Sequence, residues 1–309
     1  MQTDRPPLHV LFTMDCEPAG TRAAPEGPRG WAQSAAAIDG FCTRLLAAGY
    51  HPTLFLSPAC AREHAPLCEE VGEAGTELAL LVHPRWVPGG FGHLLGRYSR
   101  AEQRLIVHRA LDDFQQALGV RPASVRSALY SASDETFGVL HELGFRQGSL
   151  SSPGRRISHH AAVWTGAVPD PHYVDDVSRL RAGSLPFLEI PVTTDPTALR
   201  GGIAADLAVE NGTVEAWHRP LITGVLRRMA ERGTRFRALC FVTRNRFAYH
   251  DDRDPLARTL DGILRLLDEL AEQNEIVPCT AAEAHARFRM TDGERTRTAE
   301  SIFENNHAR

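Results

Sequence analysis

The sequence predicts an α/β protein whose parallel strands close into a (β/α) barrel, and three observations carry that prediction. Apolar runs of strand length alternate with segments of helical periodicity along the whole chain, the order that builds a parallel sheet with helical crossovers. The run Glu77-Leu78-Ala79-Leu80-Leu81-Val82 is almost wholly apolar, as in a strand buried on both faces. Asp15, Glu17, His83, Arg126 and Thr243 all fall at the ends of such runs, where a barrel keeps its site. Seven or eight strand–helix units fit one barrel better than two separate domains, with an open sheet as the alternative.

Each element has its own signal. The first strand, residues 8–14, runs into Asp15-Cys16-Glu17-Pro18. Side chains alternate along a strand, so Asp15 and Glu17 share a face about 6.5 Å apart. With no basic residue between them they repel unless a proton or a cation sits there. One carboxylate for a metal and one for general-base work is what a hydrolytic site needs. The competing reading is a strand that simply ends in solvent.

A long Gly/Pro-rich loop follows at 19–30, of the kind that more often serves function than mere connection. Ile38, Phe41, Leu45 and Leu46 mark a helix over 32–48, stopped by Gly49. His51 to Ser57 reads as a strand, and Pro58 opens a helix to Val71. After Val82 a second Gly/Pro loop runs through His83, Trp86, Phe91 and His93. Ser99-Arg100-Ala101-Glu102 is a capping box for a helix to Leu118, ended by Gly119. A short strand over Pro122 to Val125 leads into Arg126. Ser133-Asp134-Glu135 caps a helix ending at Gly144, and Phe145 to Leu150 is a strand. Residues 151–185 are irregular. Strands resume at Phe187–Val192 and Phe236–Thr243, with a helix over 214–232 between them. Asp254-Pro255 starts a helix to Gln273. Ile276–Cys279 is the last strand, and Thr280 to Glu283 caps a closing helix.

Composition narrows the function classes. The chain has 309 residues, 43% of them hydrophobic, enough for one large core spanning 8–290; residues 291–309 form a polar, disordered tail. A net charge of −4 with no Lys/Arg run gives no nucleic-acid footprint. No run reaches transmembrane length, so no membrane partner is expected. Six scattered cysteines without Cys-x-x-Cys pairing suggest buried thiols in a reducing, cytoplasmic compartment.

These residues resemble the polysaccharide deacetylase superfamily, carbohydrate esterase family four and its cytoplasmic relatives. Thr13-Met14-Asp15-Cys16-Glu17-Pro18 is similar to the first motif. Glu77 to Val82 with His83-Pro84-Arg85-Trp86 is similar to the second. Arg126-Ser127-Ala128-Leu129-Tyr130, followed by Leu140 to Arg146 and Ser149, is similar to the third. Pro171-His172-Tyr173 and Leu188-Glu189-Ile190-Pro191-Val192 fit the segment beyond it, and the likeness covers about residues 8–288.

The resemblance implies a distorted (β/α) barrel of about seven parallel strands that hydrolyses an N-acetyl group from an amino sugar. It makes Asp15 the base that deprotonates water and Arg126 the arginine that holds Asp15. The metal-binding acid falls at Glu17, with His83 and, from the same loop, His93 completing a divalent metal site, zinc by preference. Trp86, Phe91, Tyr130 and Arg244 are the candidates for substrate binding, Arg244 for an anionic substrate group. The chain departs from the pattern at Leu81 and Arg85, where the second motif carries histidines, and at Thr243, where the fifth motif does.

The expectation is thus a hydrolase acting on a small N-acylated molecule, an amino sugar or an intermediate of glycan or secondary-metabolite assembly. The alternatives are a metal-independent hydrolase of the allantoinase kind and a catalytically degenerate barrel that binds a sugar or a partner. Homo-oligomerisation stays open.

Overall fold

The structure is a computed structural model and describes residues 6–20, 27–200 and 203–291. Its elements in chain order are β1 (Leu8–Cys16), α1 (Trp31–Ala47), β2 (Thr53–Leu56), α2 (Pro58–Glu63), α3 (Ala65–Glu73), β3 (Glu77–Val82) and α4 (Arg100–Leu118). Then come β4 (Ser124–Ser127), α5 (Thr136–Glu142), β5 (Gln147–Gly148), β6 (Arg156–Ile157), β7 (Ala162–Val163), β8 (His172–Val174) and β9 (Leu185–Glu189). The last third holds β10 (Thr194–Arg200), β11 (Ile203–Asp206), α6 (Arg219–Arg232), β12 (Arg237–Arg244), α7 (Pro255–Ala271), β13 (Ile276–Pro278) and α8 over 281–291.

The main sheet has the order β12-β1-β2-β3-β4-β5-β9-β8. Seven of these strands, β12 through β9, pair in parallel, and β8 returns antiparallel to β9. The edge of β1 opposite β12 is shared: β13 takes Leu8 to Val10 and β2 takes Thr13 to Cys16. The gap between β9 and β12 is bridged by irregular backbone. The Thr193 N–H donates to the Cys240 carbonyl (3.1 Å), and the Val209 N–H to that of Val242 (3.0 Å). A ring of seven parallel strands closed by loop backbone is a distorted (β/α) barrel, as expected.

Alternation along β1 sorts the core. Leu8, Val10, Phe12, Met14 and Cys16 join the large cluster with helix residues such as Phe41, Leu45, Leu260 and Ile263. Leu11 packs instead with Leu188, Ile190 and Cys240, and Phe55 with Ala79 and Leu81, on the other face of the sheet. Thr13 and Asp15 continue the Leu11 row, which aims Asp15 into the barrel mouth.

Most predicted elements stand where their local signals put them. Ser99 and Glu102 make the reciprocal capping box, and Gly119 ends α4 in the left-handed region. The Asp254 carboxylate accepts the Leu256 N–H at 2.7 Å, and Thr280 pairs reciprocally with Glu283. The helix expected from Pro58 to Val71 is two helices, broken at His64 because Pro66 can neither donate a hydrogen bond nor fit a continuous helix. Ahead of Pro220 the chain makes a single wide turn, Val214–His218, before α6 starts. The strand expected over Phe145–Leu150 shrinks to Gln147–Gly148, and the β10–β11 hairpin was not foreseen. Residues 292–309 of the expected tail and 21–26 of the first Gly/Pro loop lie outside the described residues. All six cysteines are buried and unpaired. Among the described residues no helix is long and apolar enough to cross a membrane.

Candidate active site

The site is built on an ion pair that spans two intervening strands. Asp15 ends β1 beside Phe55 of β2, Phe55 sits beside Ala79 of β3, and Leu81 sits beside Arg126 of β4. Phe55, Ala79 and Leu81 are fully buried and form an apolar floor. The Arg126 guanidinium lies 4.1 Å above the Phe55 ring and reaches over that floor to Asp15 Oδ1 at 2.7 Å. Leu81, where the resemblance expected a histidine, is therefore part of the surface the arginine rests on.

Arg126 has no solvent exposure. Its Nη1 also donates to Thr13 Oγ1 (3.0 Å), its Nε to the Ser149 carbonyl (2.9 Å), and its Nη2 to Ser149 Oγ (2.7 Å). Burial works against the charge, but the adjacent Asp15 carboxylate more than offsets it, so Arg126 titrates above its ordinary range and stays cationic. Asp15 keeps a small exposed edge at the mouth, its residue 9% accessible.

A second acid, Glu17, lies just beyond β1, and the side chain of Asn245 sets its place. Asn245 Oδ1 accepts the Glu17 N–H at 3.1 Å, and Nδ2 donates to the Glu17 carbonyl at 2.9 Å, as a neighbouring strand's peptide would. The Asn245 N–H donates to the Asp15 carbonyl at 3.2 Å, so one residue registers both acids. His83 Nδ1 lies 3.1 Å from both Glu17 carboxylate oxygens. Trp86 stands edge-on to that imidazole, ring centroids 5.8 Å apart, with its indole N–H buried and without a protein partner.

The third expected metal ligand does not join them. His93 is exposed; its backbone N–H donates to the Tyr98 hydroxyl and its ring faces Tyr98. The loop from His83 to Ser99 folds outward over α4: Arg109 of α4 donates to the Pro88 carbonyl and covers Phe91, which packs edge-on against Tyr98. Phe91 accordingly belongs to the outer packing of the loop, not to a pocket wall. Among the described residues no group of three or more His, Cys, Asp or Glu side chains is placed to hold a metal ion. Glu17 and His83 alone do not fit the donor set of a catalytic zinc centre, which takes three protein ligands.

On β12 the strand alternation corrects the reading of Thr243. Its hydroxyl bonds to that of Tyr249 on the helix side of the sheet, so it does not face the site. The neighbouring Arg244 is the Cα partner of Asp15, and its charge acts on the buried carboxyl of Glu210.

Tyr130 completes the mouth. It and Leu129 both adopt left-handed backbone, φ +60° and +55°, in succession after β4. Such strain persists only where surroundings hold it, here through the Trp164 indole N–H donating to the Tyr130 carbonyl at 2.8 Å. Its ring sits under the Arg155 guanidinium, 4.7 Å from the centroid, and 5.8 Å from that of Arg126. Arg155 in turn reaches Asp206 at 3.4 Å. Burial first, and the Asp15 charge second, push the Tyr130 hydroxyl far above its usual range, so it remains a proton donor.

Asn245, Arg155 and Asp206 carry no local sequence signal: they lie in loops and in the unforeseen hairpin. Strand ends and motifs pointed to Asp15, Arg126, Tyr130, Glu17 and His83, which lie together at the strand ends, whereas His93 and Phe91 lie on the outer side of their loop.

No protein-family model matches the sequence, and no curated protein does. Solved structures do match. The Puue allantoinase superposes with a TM-score of 0.61 at 14% identity, covering 94% of this chain and 92% of its own. A probable polysaccharide deacetylase from Pseudomonas aeruginosa PAO1 gives 0.58 at 14% identity, covering 92% and 91%. At such identity the likeness is one of fold, spread over nearly the whole of each chain. The chain thus has the distorted barrel fold of the polysaccharide deacetylase-like structures.

Proposed function

We propose that this chain is a divergent hydrolase of the polysaccharide deacetylase superfamily, removing an acyl group, acetyl first of all, from the nitrogen of an amino sugar or a related small molecule. One observation carries the reading: an aspartate at a barrel mouth whose carboxylate is fixed by a wholly buried arginine at 2.7 Å. A pure binding surface has no use for so constrained a pair. The shared fold supports the same reaction class.

Asp15 is the general base. It takes a proton from water as the water oxygen attacks the acyl carbon, while Arg126 orients it. Tyr130, held protonated beside Asp15, donates its hydroxyl to the oxygen on which negative charge develops. Collapse breaks the carbon–nitrogen bond, and the proton on Asp15 passes to the departing nitrogen, giving a carboxylate and an amine. No step is routed through a metal, because Glu17 and His83 lack a third donor.

The test is acetate release from N-acetylglucosamine and N,N′-diacetylchitobiose, and formation of the ring-opened carboxylate from allantoin, with and without EDTA. Acetate release that survives chelation, and falls about a thousandfold in Asp15→Asn, is the expected result. Turnover lost to EDTA and restored by zinc would overturn the metal-free route. Hydrolysis of allantoin alone would move the substrate class to cyclic ureides. Saturable binding with no turnover would make the chain a binding barrel.

A further inference from the structure

The two residues that follow Ser149, whose carbonyl and hydroxyl hold Arg126, are bonded by a buried acid that the proposed chemistry does not use. Glu189 ends β9 and is 1% exposed. Its Oε1 accepts the Leu150 N–H (3.0 Å), the Ser151 N–H (2.8 Å) and the Ser151 hydroxyl (2.7 Å), and Oε2 shares the Leu150 N–H at 3.2 Å. Strand β5 is only two residues long, and its ladder to β9 stops at Gly148 opposite Glu189. The Leu150 and Ser151 N–H groups are thus buried past the end of that ladder, where an unmet donor would be destabilising. Every group that bonds Glu189 donates to its carboxyl oxygens.

We propose that Glu189 is a positioning residue of this site: its carboxyl clamps the Ser149–Ser151 turn, and that turn fixes the Arg126 guanidinium against Asp15. The proposal rests on Asp15 acting as the water-activating base. The groups facing Glu189 are Arg126 of β4, Cys240 of β12, and His172 of β8, its antiparallel partner. Burial raises its titration to about 7 despite the hydrogen bonds it accepts.

The test follows the Arg126 Nε–H resonance in isotope-labelled protein, assigned by its loss in Arg126→Lys. In Glu189→Ala that proton should exchange at least about tenfold faster, while the Trp164 indole proton keeps its protection. Glu189→Gln, which retains an acceptor oxygen, should restore slow exchange. If Glu189→Ala does not fold, Glu189→Asp, whose carboxyl sits one methylene further from the turn, takes its place and should likewise speed exchange. Unchanged exchange in the folded variant would overturn the proposal. An absence of turnover on N,N′-diacetylchitobiose by the wild type would instead defeat the hydrolytic reading, while the resonance still decides the role of Glu189.

Discussion

At the scale of single residues, Arg126 combines orientation of Asp15 with full burial of a charge, and the two cannot be separated by mutation. Removing the guanidinium leaves Asp15, Thr13 and Ser149 without their donor, a loss of about 3–5 kcal/mol for a buried pair. Arg126→Ala should therefore lower the melting temperature as well as turnover. Asp15→Asn, at the partly solvated end of the pair, should melt above Arg126→Ala while being equally inactive; parallel thermal melts and acetate assays check that order. Tyr130 allows a cleaner separation. Its carbonyl, not its hydroxyl, anchors Trp164, so Tyr130→Phe should leave the melt nearly unchanged. Turnover should fall by about 10²–10³ if the hydroxyl serves the oxyanion. Full turnover in that variant would remove Tyr130 from the mechanism.

At the scale of elements, α1 and the segment after β12 are packed backbone to backbone. A Cβ on Gly40 would come within 2.3 Å of the His250 nitrogen, which helical backbone cannot yield cheaply. Gly40→Ala should cost about 1–3 kcal/mol in urea unfolding, and it should also slow turnover, since the same segment begins with Asn245, the bracket of Glu17. By contrast, Ser99→Ala at the α4 cap should cost about 1 kcal/mol and leave turnover alone. Both capping boxes were legible because a cap is a contact over three residues. The β10–β11 hairpin was not read, although Gly201-Gly202 is a tight-turn dipeptide, because the residues before it, Thr194 to Arg200, show no clean alternation.

At the scale of the whole molecule, the buried acid Glu189 makes stability depend on pH. Its titration rises from 4.5 to about 7 on folding, chiefly through burial. Below about pH 4.5 it is neutral in both states. Between about 4.5 and 7 the native protein keeps a proton that the unfolded chain releases, so native stability falls as pH rises through that window and then levels off. The contribution is at most about 3 kcal/mol. Glu77, buried among Ser124, Thr53 and the start of α8, is raised for the same reason and acts in the same direction. Urea titrations across the window should show a flatter profile in Glu189→Gln than in the wild type. An identical slope would mean that Glu189 ionises in the native state as easily as in water.

The sequence alone determined the order of strands and helices, most of their ends, and the residues at strand termini where a barrel gathers its chemistry. Those features are local: a period of two or 3.6 residues, a cap, a glycine stop. Asp15 and Arg126 could be matched from motifs, but only the closed sheet showed that they meet across Phe55, Ala79 and Leu81. Tertiary structure alone decided that Thr243 faces the helices and that the loop of His93 turns out over α4. It also decided that Asn245 and the Ser149–Ser151 turn hold the site in register. The reason is geometric: a strand's alternation is fixed by its own residues, but which face is inside depends on strands more than a hundred positions away, and where the loop after His83 lands depends on its packing against α4.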